Sequence, residues 1–387
     1  MRALAAAPSL SAAMLVASCN RGAPELPDAA LLPRGVGLLV VESAYDGTEA
    51  YVEAIDPATH VASAHFGAGY DPDPHLRRLT DPRDGFERIF IVGSAQGAIT
   101  EVDRAGHILR SMPTWDDGEA AGKPDPLDLA IAADGALWIT RWSKGALLVL
   151  EADGRRRTTV DLSSYAPSNA PASGAPGMSA IAIFDRTAYV ALQRLDATKV
   201  PPAATNASQL VAIDTSTLAT RKVLDLPATD PFERFEHRQD SPSPKLWIAC
   251  IGGPLSDPPV YGALVRIDLA ASTAEVVLDG KAHGFFVTGF DVADDHEAWA
   301  TVASYRAGNA TSLVRFDPTT KVVEAPVLTT PSYRLWDVAI VGTELLVVDR
   351  SAERPAIDVL AASDGALLGS IALHEAPAQL LVLRAPQ

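Results

Sequence analysis

The residues of this 387-residue chain that could do chemistry are spread along it, and three of them recur in one local pattern. Asp128, Asp291 and Asp337 each follow an apolar residue and precede an aliphatic residue and Ala, as in Leu127-Asp128-Leu129-Ala130, Phe290-Asp291-Val292-Ala293 and Trp336-Asp337-Val338-Ala339. Carboxylates gathered at one mouth could hold calcium or zinc and polarise a carbonyl, as a metal-assisted hydrolase requires. A residue repeated at one place in a repeating unit more often serves the geometry of that unit, and this is the reading preferred here. A second set combines arginine with aromatic rings: Arg141-Trp142, Gln193-Arg194, Ser304-Tyr305-Arg306 and Asp349-Arg350, joined by Trp336. Forked guanidinium hydrogen bonds and ring stacking suit an anionic or carbohydrate-like ligand, so Arg141, Trp142, Arg194, Tyr305, Arg306, Trp336 and Arg350 form the candidate binding set. The competing reading is that these arginines pair with Asp and Glu at nearby strand ends. His75, Arg77, Arg78, Trp115, Asp116, Tyr165, His237, Tyr333 and Arg334 are further candidates, assigned to connections between units.

Other chemistries find little support. No Gly-x-Ser-x-Gly elbow, His-Glu-x-x-His pair or phosphate-binding glycine loop occurs, and the eight histidines form no paired motif. Two cysteines, Cys19 and Cys250, rule out Cys-rich zinc sites, iron–sulfur clusters and Cys-x-x-Cys-His haem attachment. Cys250 lies in the run Leu246-Trp247-Ile248-Ala249-Cys250-Ile251 and reads as an inert buried thiol. A formal net charge of −16 repels phosphate backbones, so no nucleic-acid partner is expected.

The elements that must position these residues are strands. From residue 36 onward, short β-branched runs alternate with Gly, Pro, Asp and Thr, and long helical periodicity is missing despite abundant alanine. One triplet, an aliphatic or aromatic residue, an acid and a turn residue, recurs as Ile55-Asp56-Pro57, Val102-Asp103-Arg104, Leu150-Glu151-Ala152, Ile213-Asp214-Thr215, Ile267-Asp268-Leu269 and Phe316-Asp317-Pro318, with a degenerate Leu360-Ala361-Ala362. Successive copies lie 47, 48, 63, 54, 49 and 44 residues apart, the signature of a repeat array. Residues 126–162 show the whole unit as four strands: Pro126–Ile131, Leu137–Thr140, Leu147–Leu150 and Thr158–Leu162. Four antiparallel strands make a propeller blade, and blades that cannot bury both faces alone must pack radially. The expected fold is therefore all-β: a seven-bladed β-propeller of four-stranded antiparallel blades, with six and eight blades as competing counts. The first unit starts with what reads as its second strand, Val36–Val41, and the chain ends with a surplus strand, Gln379–Leu383. The C-terminal strand should complete the first blade.

Units such as Ala188-Tyr189-Val190-Ala191 followed by Leu210–Thr217 and Arg221–Leu224 resemble YVTN-type β-propeller repeats, although Tyr-Val-Thr-Asn itself is absent. Residues 126–139 are similar to the Pro-x-x-(aliphatic)-Ala-(aliphatic)-x-x-Asp-Gly-x-(aliphatic)-Trp stretch of NHL and lactonase-like propellers. The resemblance covers about nine tenths of the chain and implies architecture more than activity, because the fold hosts binding scaffolds, lactonases and quinoproteins. The Trp-docking repeats of quinoproteins are not seen among the six tryptophans.

At the amino terminus, Arg2 precedes a short apolar stretch ending in Val16-Ala17-Ser18-Cys19, which resembles a bacterial lipoprotein signal and its lipobox. The resemblance implies a signal peptide over 1–18, acylation of Cys19, a Pro-containing tether over 19–33 and the propeller over 34–387. It implies export and anchoring in the bacterial cell envelope, with Asn20 pointing to the outer membrane. The functional expectation is a non-catalytic binding or protein-interaction module of the envelope. Its partners would be the membrane through acylated Cys19 and a protein or anionic, carbohydrate-like ligand. The alternative is a metal-assisted lactonase working at the mouth of the central channel. No cofactor is expected on the first reading, and calcium is the ion considered on the second.

Overall fold

Each blade hides its middle and leaves its rim wet, and this grading explains the sequence pattern. In blade 3 the first three strands, Pro126–Ile131, Leu137–Arg141 and Ala146–Leu150, are almost wholly buried, whereas the fourth, Arg156–Asp161, exposes most of its side chains. Only the fourth strand therefore shows the polar alternation of a half-solvated sheet. The computed structural model describes residues 37–43, 50–55, 66–70, 74–104, 107–119, 124–171, 173–232, 234–238, 244–253, 259–304, 308 and 310–383. The expected signal, Cys19, the tether, Tyr305 and Arg306 lie outside the described residues.

Seven four-stranded antiparallel sheets form the ring. Six are built from four consecutive strands. Blade 1 takes Gly37–Ser43, Ala50–Ile55 and Phe66–Tyr70 from the start of the fold and its inner strand, Pro377–Leu383, from the end. The two ends pair antiparallel, with Leu38 opposite Val382, Leu39 opposite Leu381 and Val40 opposite Leu380. The expected closure is present, and it removes two edges that would otherwise be open to aggregation.

The core is a ring of interfaces. Seven apolar clusters fill the molecule, and each draws on two neighbouring blades. Trp138 packs between blades 3 and 4, Trp247 between 5 and 6, and Trp299 between 6 and 7. A fully buried Leu or Phe contributes about 1.5–3 kcal/mol, but only when the next blade is in place. The recurring triplet marks the end of the third strand of the blades, and in four of them its described Asp serves the turn that follows. Asp103 accepts from the His107 amide, Asp214 from those of Ser216 and Thr217, Asp268 from that of Ala271, and Asp317 from those of Thr319 and Thr320. A carboxylate that fixes its own turn explains the repeat without any catalytic role.

With four strands per blade, the second-to-third-strand loops and the connections between blades share one face, called here the upper face. The first-to-second and third-to-fourth turns share the other. The described chain enters at Gly37 and leaves at Leu383, which pair with each other on the lower face. Among the described residues, no helix is long and apolar enough to cross a membrane.

Close approach of blades 6 and 7 depends on Gly289. A Cβ there would lie 2.6 Å from the Trp336 carbonyl oxygen and 2.7 Å from Asp337 Cα, both backbone atoms that cannot swing aside. Gly289→Ala should destabilise the protein by about 1–3 kcal/mol, the usual cost of overpacking, measured as a lowered midpoint of urea unfolding. An unchanged midpoint would show that the two blades can separate without penalty.

Candidate functional site

Matching the inner strands through their pairing with the second strands reveals two levels around the channel. Gln379, His75, Asp128, Ala180, Gly289 and Asp337 share one level in blades 1, 2, 3, 4, 6 and 7, and Arg234 of blade 5 falls at the same height. Arg77, Ala130, Ala182, Glu236, Asp291 and Ala339 share the next. Two sequence assignments change. Asp291 lies opposite Trp299 as Ala130 lies opposite Trp138, so it sits two residues along from the level of Asp128 and Asp337, where blade 6 has Gly289. The offset comes from the chain between the acid and the tryptophan: Asp291 precedes Trp299 by eight residues, whereas Asp128 precedes Trp138 by ten. His75, Arg77 and Arg78 belong to the inner strand Pro74–Thr80 rather than to a connection between blades.

The inner-strand acids stitch each blade to the next. Asp128 accepts from its neighbour Leu129 N–H at 2.8 Å and from Ile181 N–H of blade 4 at 2.9 Å. Asp337 accepts from Val338 N–H at 2.9 Å and from Leu380 N–H of blade 1 at 3.2 Å. Asp291, at its own level, accepts from Val292 and from Ile340 of blade 7, both at 2.7 Å. Gln379 does the same for blade 2, accepting from Leu76 N–H at 2.6 Å. The inner edge of a blade offers amides that no further strand can pair, and these side chains satisfy them.

Charged groups complete the ring. Arg77 Nε lies 2.5 Å from Asp128 Oδ1, and Arg234 reaches Glu236 at 2.6 Å and Asp337, past Gly289, at 3.7 Å. Burial raises the Asp128 and Asp337 carboxyls, opposed by Arg77 and Arg234 respectively. Asp291 is pushed up to about 7 by burial and by the charge of Glu236. Burial, with Arg77 and Arg234 adding to it, lowers His75 to about 3, so its imidazole is neutral at physiological pH. Beside Arg234, a cavity of about 20 Å³ lined by Phe232, Thr288, Gly289 and Asp337 has room for about one water.

Among the described members of the arginine and aromatic set, Arg141 and Arg194 turn to backbone carbonyls of their own surroundings. Arg141 is buried, with its guanidinium on the Ala146 and Thr114 carbonyls and on Asp116 at 3.0 Å. Arg194 holds the Tyr165 and Ala207 carbonyls at 3.0 and 2.8 Å. Trp142 donates its indole N–H to Gln193, whose amide donates in turn to the Pro231 carbonyl, which links blades 3, 4 and 5. Arg334 forks onto Asp349. The competing expectation, pairing at strand ends, thus describes Arg141 and Arg334. Near the upper face Trp336 and Arg350 are both half-buried, with the Arg350 guanidinium 4.9 Å from the centre of the Trp336 ring. His237 falls on the short inner strand Glu236–Arg238.

Sequence reading missed another cluster. Glu42 and Glu53 stand on the second and third strands of blade 1, both fully buried. His374, in the connection leading to the C-terminal strand, places Nδ1 3.0 Å from Glu53 Oε1, and the Glu375 amide donates to Glu42 Oε2 at 2.6 Å. Burial raises the Glu53 carboxyl, with Glu42 as its hydrogen-bond partner. Among the described residues, this is the group whose His and carboxylate donors lie close enough together to hold one metal ion. The signal available was a glutamate inside each middle strand of a blade, where both faces are covered.

No protein-family model matches the chain, and no curated protein matches it. Solved structures do. A putative 6-phosphogluconolactonase from Bacteroides uniformis aligns with a TM-score of 0.57 and 14% identity over 90% of this chain and 99% of that one. Dihydro-heme d1 dehydrogenase NirN, in complex with DHE, aligns at 0.54 and 14% over 93% and 77%. Apo AztD from Citrobacter koseri aligns at 0.51 and 13% over 90% and 98%. The chain is therefore a seven-bladed β-propeller. Likeness at this identity establishes the fold and leaves the activity open.

One buried acid lacks any such stitch. Asp230, held at φ +61°, has no hydrogen-bond partner for Oδ1, and burial pushes its carboxyl up to about 7. Burial and the nearby Asp230 charge also push up the Cys250 thiol, which fits the expected inert role. An unfolded Asp titrates near 3.9, so between about pH 4 and 7 the folded state keeps a proton that the unfolded state has lost. The contribution of Asp230 to stability should fall as pH rises through that window and then level off. Asp230→Asn keeps the left-handed backbone available and should remove that contribution, so that the pH curves of the two proteins diverge across the window. Urea unfolding should find the variant more stable than the parent at pH 8, by about 1.4 kcal/mol per unit of pKa displacement. Parallel pH curves for the two proteins would contradict this account.

Proposed function

We propose that this chain is an exported, lipid-anchored β-propeller that serves as a non-catalytic binding module of the bacterial cell envelope. The observation that carries the reading is the use made of the channel acids. Asp128, Asp291 and Asp337 each commit both carboxylate oxygens to backbone amides, one of them in the next blade. Carboxylates so engaged are poorly placed to ligate a cation over the channel, which weighs against the metal-assisted lactonase alternative despite the fold shared with a putative lactonase. The upper face offers instead the stacked pair Trp336 and Arg350, whose ring and guanidinium suit an anionic glycan or an acidic protein surface. Anchoring rests on the lipobox-like Val16-Ala17-Ser18-Cys19.

Two measurements test the reading. In cells, Cys19→Ser should shift the protein from the membrane fraction to the soluble one, and retention in the membrane would refute acylation at that residue. In a thermal-shift screen of the full chain against anionic glycans, cell-wall fragments and sugar lactones, a ligand at one hundred times its dissociation constant adds about 2.7 kcal/mol. The expected result is a shift with an anionic glycan that Arg350→Ala and Trp336→Ala abolish. Lactone turnover by the wild type would overturn the non-catalytic assignment.

A further inference from the structure

We infer that Glu42, Glu53 and His374 form a binding site for a divalent transition-metal cation of the zinc class, and that the bound ion clasps the two ends of the propeller together. The proposal goes beyond the upper-face binding reading and does not depend on it. Glu53 is fully buried, and its partners are Glu42 and His374, neither of which carries the permanent positive charge that an arginine or lysine would supply. Its second oxygen, Oε2, is buried and accepts no hydrogen bond. A carboxylate oxygen left so in a fully covered strand has a strong demand for a cation. Two other buried acids meet that demand with arginine, Asp128 with Arg77 and Glu101 with Arg88 and Arg110.

The donor set chooses the metal class. One imidazole nitrogen and two carboxylates suit zinc and its first-row neighbours, whereas calcium prefers six to eight oxygens. The donor atoms lie within 4.8 Å of one another, and His374 Nδ1 is 3.0 Å from Glu53 Oε1. Bonds of about 2.0–2.1 Å at tetrahedral angles set donors about 3.3 Å apart, so small side-chain rotations would suffice. His374 is 60% exposed, which leaves a path for the ion and a position for water.

The placement gives the site a role. Glu42 and Glu53 come from the start of the fold, and His374 lies 321 residues after Glu53, in the connection that delivers the closing strand. A cation bridging them would tie that strand to blade 1.

The test is zinc titration of the full chain after chelator stripping, followed by calorimetry and by the melting temperature. The wild type should bind one equivalent of zinc and melt at a higher temperature. His374→Ala alters an exposed side chain and should fold as the parent does. It should lose affinity by more than about tenfold, the scale seen for loss of mere outer-sphere partners, together with its zinc-dependent melting shift. His107→Ala, at another exposed histidine beside an aspartate, should behave as the wild type. Glu53→Gln should abolish binding as well, and the conclusion holds on His374→Ala alone should that variant not fold. Zinc binding without a melting shift, or equal binding by His374→Ala, would overturn the proposal, as would the absence of zinc binding.

Discussion

A four-stranded blade has two faces to cover and no partner of its own, so the molecule stands on closure of the ring. The pairing of Gly37–Ser43 with Pro377–Leu383 is the joint through which that condition is met. Without it, the clusters between blades 7 and 1 and between 1 and 2 would lose the strand that carries Leu380, Leu381 and Leu383. Because every cluster belongs to two blades, folding is expected to be cooperative around the whole ring, with no blade independently stable.

Closure also orders the polar interior. Propeller inner strands have an unpaired edge that faces the channel, and the side chains there do the work that a fifth strand would do. Asp128, Asp337 and Gln379 sit at one level and reach forward to the following blade, and Asp291 repeats the device two residues along. The arginines answer the burial of these acids, Arg77 directly and Arg234 across a gap that only glycine keeps open. The charged groups of the channel thus serve the structure of the ring.

The architecture was legible in the sequence because it is written in repetition. The triplet spacing counted the blades, the unit over 126–162 gave the strands to within two residues, and the surplus strand at the end announced closure. The preference for a structural role for Asp128 and Asp337 followed from the same logic and agrees with their hydrogen bonds. What failed to read was register. Asp291 stands off the level its pattern implied because it is two residues nearer its tryptophan than Asp128 is, and the local pattern around the acid does not report that spacing. The direction of the Arg141 and Arg194 side chains was equally invisible, since burial decides whether a guanidinium faces a ligand or a carbonyl. The Glu42, Glu53 and His374 group went unseen because its members are brought together only by the closing strand.

Both ends of the described chain, Gly37 and Leu383, lie on the lower face, while Trp336 and Arg350 belong to the upper one. A leash running back from Gly37 to a lipid at Cys19 would therefore hold the disc by its underside. The propeller would ride with its decorated face turned away from the bilayer, at a height set by leash length, like a dish aimed into the surrounding compartment. Orientation would then come from topology alone, with no contact between the disc and the lipid headgroups required.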